Sequence, residues 1–307
     1  MGSNEPLAAG DLWSQWLLHR RHAGDPHYEQ AMRALVDRYI ERVLEGAQLT
    51  AGQSIADVGT GEGLLALRAI ERTAGALRVW LTDISAPLLQ HAREQALARG
   101  VADRCAFLQA PADRLEGIAD ASLDAVCTRS VLAYVPDKLA ALREFHRVLK
   151  PGGRISLAEP VFLDEAVAAQ AIRTVIEATA PAALNPMMPL LHRWKAAQYP
   201  DTEEKIRASA IASYSERDLP RFAQAAGFAE VHLELHIDTY PSIMRSWEVF
   251  LESAPHPLAP PLSRIMAEQF SVEERELFER TMRPVIEDPG AVSTERMAYL
   301  TARRALA

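Results

Sequence analysis

Two cysteines in 307 residues, Cys105 and Cys127, are too few for a disulfide framework. Both fall inside expected strands and read as reduced core residues. No CxxC spacing appears, so a structural zinc is not expected. Positive charge is also scarce: 33 Lys and Arg face 41 Asp and Glu, for a net charge of −8 and a pI of about 5.7. Without a basic run, neither nucleic acid nor an anionic membrane surface is an expected partner. The apolar stretches are too short to span a bilayer, and the N-terminus lacks the hydrophobic centre of a signal peptide, which together suggest a cytoplasmic protein. No internal repeat is visible. What remains is ordinary globular composition, 49% hydrophobic and 24% charged, enough for a sizeable core.

The most informative stretch is Asp57-Val58-Gly59-Thr60-Gly61-Glu62-Gly63. Ser54-Ile55-Ala56 before it starts a short apolar run bounded by Gly52, the pattern of a buried strand. After it Leu64, Leu65, Leu67 and Ile70 recur at helical spacing, opposite Arg68, Glu71 and Arg72. A strand, a glycine turn and a helix present backbone N–H groups at a helix N-terminus. Glycine there lets main chain approach a ligand where a Cβ would collide.

Two helical stretches precede this turn. Trp13, Trp16 and Leu17 sit on a short amphipathic segment from Asp11, broken at Gly24 and Pro26, and a second helix runs from about His27 to Leu44. From the turn onward strands alternate with helices: strands at 54–58, 78–83, 105–108, 123–128 and 154–159, with helices at 63–73, 85–99 and 138–149. This rhythm argues an α/β fold, a mostly parallel sheet with helices on both faces. After Pro160 an Ala-rich helix over 164–180 leads into a segment punctuated by Pro181, Pro186, Pro189 and Pro200, expected to be irregular. Ser215-Glu216-Arg217-Asp218 suggests a capping box, Val231–Ile237 a sixth strand, 243–252 and 262–286 helices, and Met297–Thr301 a seventh strand. The expected organisation is a mobile tail over 1–10 within an N-terminal helical cap, 1–45; a nucleotide-binding core, 46–160; a helical lid, 161–215; and a C-terminal completion of the core, 216–307.

Four of these stretches, in order and spacing, resemble the class I S-adenosylmethionine-dependent methyltransferases. They are the Asp57–Gly63 turn, Asp83 at the end of strand two, Ala112-Asp113 after strand three, and Leu149-Lys150-Pro151-Gly152-Gly153 before strand five. They cover about residues 50–160. The resemblance implies a Rossmann-like seven-stranded sheet and S-adenosyl-L-methionine as cofactor, with contacts from Asp57, Gly59, Thr60, Gly61, Gly63, Asp83, Ile84, Ala112, Asp113 and Arg129. Asp83, twenty residues after Gly63, corresponds to the ribose-binding acid, and its carboxylate can accept two charge-assisted hydrogen bonds. Asp113 corresponds to the adenine contact, beside Leu108 and Gln109, although Pro111 stands where an acid often does. A dinucleotide turn would need its third glycine three residues after the second, whereas Gly63 follows Gly61 by two. That spacing disfavours an NAD(P)-dependent oxidoreductase. A non-catalytic cofactor-binding module, or an enzyme using the same fold for a cyclisation, keeps the same motifs.

Open α/β sheets bind ligands at the carboxyl ends of their strands. Arg129, Ser130 and Tyr134 follow strand four, and Glu159 ends strand five. Arg129 is placed either to hold an acceptor carboxylate or to pair with a local acid, and Glu159 either to act as a base or cation-holder or to accept structural hydrogen bonds. Within the expected lid His192, beside Trp194, is the histidine to test first. The catalytic candidates are thus Glu159, His192, Arg129 and Tyr134, acting on a small-molecule methyl acceptor under the cap and lid. Asp124 starts strand four and points to the opposite end, so no metal is expected. A homodimer stays open.

Overall fold

Asp11 accepts the Ser14 N–H and starts α1 (Leu12–Gln15) in a computed structural model that describes residues 11–306. The tail expected over 1–10 lies outside the described residues. The chain then widens to a π-turn over Trp16–Arg20, closed by the Arg21 N–H on the Trp16 carbonyl. Asp25 caps α2 (Pro26–Ala47), with Pro26 at its first position, where no N–H is needed. Leu35, Val36, Tyr39, Ile40, Val43 and Leu44 are buried, and they pack with Ile55, Leu65 and Val79 against one face of the sheet. The expected 1–45 cap therefore divides: α2 belongs to the core because its apolar face needs the sheet, and the residues before it lie over the site.

The alternation expected from the sequence follows. β1 (Ser54–Val58), α3 (Leu64–Arg72), β2 (Arg78–Asp83), α4 (Ala86–Ala98), β3 (Cys105–Gln109), β4 (Leu123–Arg129), α5 (Lys138–Val148) and β5 (Leu149–Pro160) form a parallel array. α6 (Leu163–Ala178), α7 (Met187–Gln198), α8 (Glu203–Ala208) and α9 (Asp218–Ala225) intervene before β6 (Phe228–Pro241). α10 (Trp247–Glu252), α11 (Leu262–Gln269) and α12 (Val272–Ile286) separate β6 from β7 (Val292–Arg304). The sheet order is β3-β2-β1-β4-β5-β7-β6, with β7 antiparallel to both neighbours. It is the expected seven-stranded, mostly parallel, Rossmann-like sheet. Its order reverses between β1 and β4, the place where such sheets take ligands.

The second half of the chain departs from expectation in three ways. The proline-rich stretch is not irregular: Pro186 precedes α7, whose Met187, Leu190 and Trp194 pack with Trp247, Leu262, Ile265 and Phe278 in a cluster of α7, α10, α11 and α12. The single helix expected over 262–286 is two, because Ser271 and Glu274 form the capping box that starts α12. At Ser215 only half of that motif forms, the Asp218 carboxylate accepting from the Ser215 N–H and hydroxyl. β6 and β7 run longer than expected because they pair along an antiparallel ribbon, with a register shift between Ala229 and His232.

Candidate active site

The glycine turn is built from buried carboxylates. Asp57, at 2% exposure, accepts from the Thr60 hydroxyl at 2.7 Å and from the Ala66 N–H at 3.1 Å, tying β1 to the first turn of α3. Burial pushes its carboxyl up to about 7, against the Thr60 and Ala66 hydrogen bonds and the positive field of Arg129. Asp83 accepts from the Gly61 N–H and the Ser85 N–H, each at 2.9 Å, so the end of β2 holds the turn after β1. Burial raises its pKa as well. Gly59 and Gly61 have φ of 66° and 54°, in the left-handed region. A Cβ on Gly59 would stand 2.4 Å from Val131 Cγ2, and one on Gly61 would stand 3.0 Å from Leu17 Cδ2.

A cavity of about 410 Å³ opens at this edge of the sheet. One wall is Gly59, Gly61, Asp83, Ile84, Ala112 and Asp113. The other comes from distant parts of the chain: Trp13, Trp16 and Arg21, then Tyr28 and Tyr39, Arg129 and Tyr134, Phe162, the loop Ala254-Pro255 with Pro257, and Glu295 with Met297 on β7. Trp13 meets Tyr134 edge-on at 5.1 Å, and Tyr134 in turn lies 6.4 Å from Phe162. The Trp16 indole N–H donates to the Ala254 carbonyl at 3.3 Å, fastening the N-terminal segment to the 254–257 loop.

Of the expected cofactor contacts, Gly59, Gly61, Asp83, Ile84, Ala112, Asp113 and Arg129 share this cavity. The other three stand behind it. Asp57 and Thr60 bond each other under the turn, and Gly63 seats α3 against Ala92, where a Cβ would lie 3.1 Å from that residue's own. The donors and acceptors fit a nucleoside joined to an amino-acid tail. A strand-end carboxylate and left-handed glycines face one continuous cavity, and a Cβ at Gly59 would force its wall to move.

The structure places two of the catalytic candidates outside the cavity lining. Glu159 is buried, with its oxygens accepting from the Thr128 hydroxyl at 2.9 Å, the Val131 N–H at 3.0 Å and the Ala133 N–H at 3.2 Å. It braces the turn after β4, where Ser130 sits at φ 58°, and does not line the cavity. His192 bonds Asp201 at 3.1 Å in a cluster with Lys205 and Arg173, and does not line the cavity. The lid expectation is corrected with it. Of residues 161–215 only Phe162 reaches the cavity, because α7 buries its apolar face against the C-terminal helices. Arg129 and Tyr134 do stand on the wall. Burial raises the Tyr134 phenol above its ordinary range, with the negative field of Glu159 adding to it.

Arg21, Glu295 and the 254–257 loop escaped the sequence reading. Arg21 follows a helix break that suggested only a turn, and Glu295 sits on β7 among alternating residues without a motif. The Glu295 carboxylate accepts the Tyr240 phenol at 2.8 Å, which holds its position in the cavity lining. Among the described residues no group of His, Cys, Asp and Glu is arranged to hold a metal ion. His232 and His236 on β6 are each engaged with Glu234. Nor is any described helix long and apolar enough to cross a membrane.

Residues 56–157 match the family profile described as a methyltransferase domain. The chain is 38% identical over 116 residues to the ubiquinone/menaquinone biosynthesis C-methyltransferase UbiE of Hahella chejuensis, a match covering 38% of this chain and 46% of that one. It is 33% identical over 153 residues to the 27-O-demethylrifamycin SV methyltransferase of Amycolatopsis mediterranei, covering 50% and 55%. The chain thus spans about half the length of the curated relatives it matches. The YcgJ protein of Bacillus subtilis shares the fold with a TM-score of 0.55 at 16% identity, over 88% of this chain and all of that one.

Proposed function

We propose, from the methyltransferase-domain match over residues 56–157, that the protein transfers a methyl group from S-adenosylmethionine to a small-molecule acceptor. The observation that carries the reading is the single cavity running from the glycine turn and Asp83 to an aromatic wall drawn from the N-terminal segment, the 254–257 loop and β7. Gly59, Gly61 and Asp83 would hold the methionine and ribose parts of the cofactor, and Ile84, Ala112 and Asp113 its adenine. The cofactor brings a methyl group already activated on a sulfonium. The chain's own task is alignment and exclusion of water, and well-oriented reactants can lower a barrier by roughly 7–11 kcal/mol.

Trp13, Trp16, Tyr134 and Phe162 give the acceptor an apolar, flat-sided berth, which suits a ring system better than an extended polymer. Glu295 is the carboxylate on that wall able to take a proton from an acceptor hydroxyl or amine, oriented by Tyr240. Incubating the protein with methyl-labelled S-adenosylmethionine and fractionated cell extract tests the proposal. Label should move to a compound in the low-mass fraction. Label recovered in RNA or protein alone would contradict a small acceptor, and no transfer to either would contradict catalysis.

A further inference from the structure

Two guanidinium groups line the cavity, Arg21 from the N-terminal segment and Arg129 from the end of β4. Among the described residues neither forms an ion pair. The nearest acids are otherwise engaged: Glu62 with Arg33 at 3.3 Å, Asp57 with Thr60 and Ala66, and Glu159 with the turn after β4. Burial pushes Arg21 down to about 10, and the charge of Arg129 adds to the effect. Burial lowers Arg129 too, in spite of the fields of Asp57 and Glu62. Two like charges facing one partly apolar chamber are costly unless an anion joins them. Arg is also suited to the task, since its planar fork matches a carboxylate or phosphate in two parallel hydrogen bonds.

Glu295 lines the same cavity, and the Tyr28 phenol lies in the fields of both Arg21 and Glu295. Trp16 lies against the Arg21 guanidinium, 5.5 Å from its ring centre, and so orients it. From this arrangement we infer that Arg21 and Arg129 together bind an anionic substituent, a carboxylate, sulfonate or phosphate, on an aromatic or otherwise apolar acceptor. The inference rests on the proposed methyl-transfer reading for what then happens to that acceptor. The shared chemistry has a second source, the carboxylate of the cofactor's own methionine tail, and the experiment separates the two.

Fluorescence titration with 8-anilinonaphthalene-1-sulfonate and with the neutral N-phenyl-1-naphthylamine compares the same rings with and without an anion. Wild-type protein should bind the sulfonate at least tenfold more tightly than the neutral probe. Arg21→Gln and Arg129→Gln should each weaken the sulfonate tenfold or more while leaving the neutral probe unchanged, and Arg21→Lys should retain most of the affinity. S-adenosylhomocysteine, titrated in parallel by calorimetry, should bind Arg21→Gln within twofold of wild type. Equal binding of the two probes by wild type, or Gln variants that keep the sulfonate, overturns the inference. So does a selective loss of S-adenosylhomocysteine by Arg21→Gln, which would give that guanidinium to the cofactor's tail. Sulfonate binding that depends on both arginines in a protein that ignores S-adenosylhomocysteine would uphold the anion site and retire the methyl-transfer reading.

Discussion

The two walls of the cavity are made in different ways. Gly59 and Gly61, in the turn after β1, and Asp83, at the end of the adjacent parallel β2, fall within twenty-five residues of chain, and the hydrogen bond from Gly61 to Asp83 ties them directly. The facing wall gathers Trp13, Arg129, Pro255 and Glu295 from across the whole chain, joined by ring contacts and by the Trp16–Ala254 hydrogen bond. The first wall is a local device that any chain with the same strand, turn and helix would build. The second exists only once the fold has closed, so its chemistry is free to vary while the first stays put.

The largest effect should come from breaking the local wall. Gly59→Val places a branched side chain at φ 66° and 2.4 Å from Val131, so it should abolish S-adenosylhomocysteine binding by calorimetry and lower the melting temperature. A folded variant that binds normally would move the cofactor elsewhere. Next in size is Glu159→Gln, in which an amide nitrogen replaces one acceptor among several backbone donors. The loss should be about 2 kcal/mol of stability in urea unfolding. A fully stable variant with lost turnover would restore Glu159 to the chemistry.

These two variants also mark where the sequence was readable. The turn, Asp83 and the seven strands follow from periodicity and glycine spacing, because each is settled by residues close in the chain. Glu159 stayed open between two roles because a strand-end acid looks the same whether it faces a ligand or a ring of backbone N–H groups. The placing of His192 was hidden for a related reason. Four prolines suggested an irregular lid, yet Pro186 and Pro189 fall at the cap and in the first turn of α7, where proline is tolerated. Arg21 and Glu295 carried no signal at all, since nothing near either residue announces that they meet across a cavity. The Ser271–Glu274 capping box, by contrast, was legible and passed over inside a stretch of helical periodicity.

Smaller effects sharpen the distant wall. His256 lies between the cavity-lining Pro255 and Pro257, donates to the Gln198 carbonyl at 3.0 Å, and leaves Nδ1 buried with no partner among the described residues. Burial lowers its pKa from 6.5 to about 4. A depressed pKa leaves the folded state intact above pH 6.5, and stability falls as the pH drops from there towards 4, by about 1.4 kcal/mol per unit at most. His256→Phe, packed between Phe162 and Tyr199, should flatten that part of the stability profile. An unchanged slope would mean that other groups titrate there. Smallest of all, His192→Ala should leave turnover of any identified acceptor within twofold of wild type, since its ring is engaged with Asp201 outside the cavity. A large loss in turnover would return it to the site.

The central claim is that the wall built around Asp83 holds the cofactor independently of the acceptor wall, and calorimetric titration of S-adenosylhomocysteine tests it most directly. Wild-type protein should bind one equivalent. Asp83→Asn should bind at least tenfold more weakly, because a charge-assisted hydrogen bond contributes roughly 1.5–3 kcal/mol. Glu295→Gln, on the opposite wall, should bind as wild type does. Failure of the wild type to bind, undiminished binding by a folded Asp83→Asn, or a loss as large in Glu295→Gln would contradict the account.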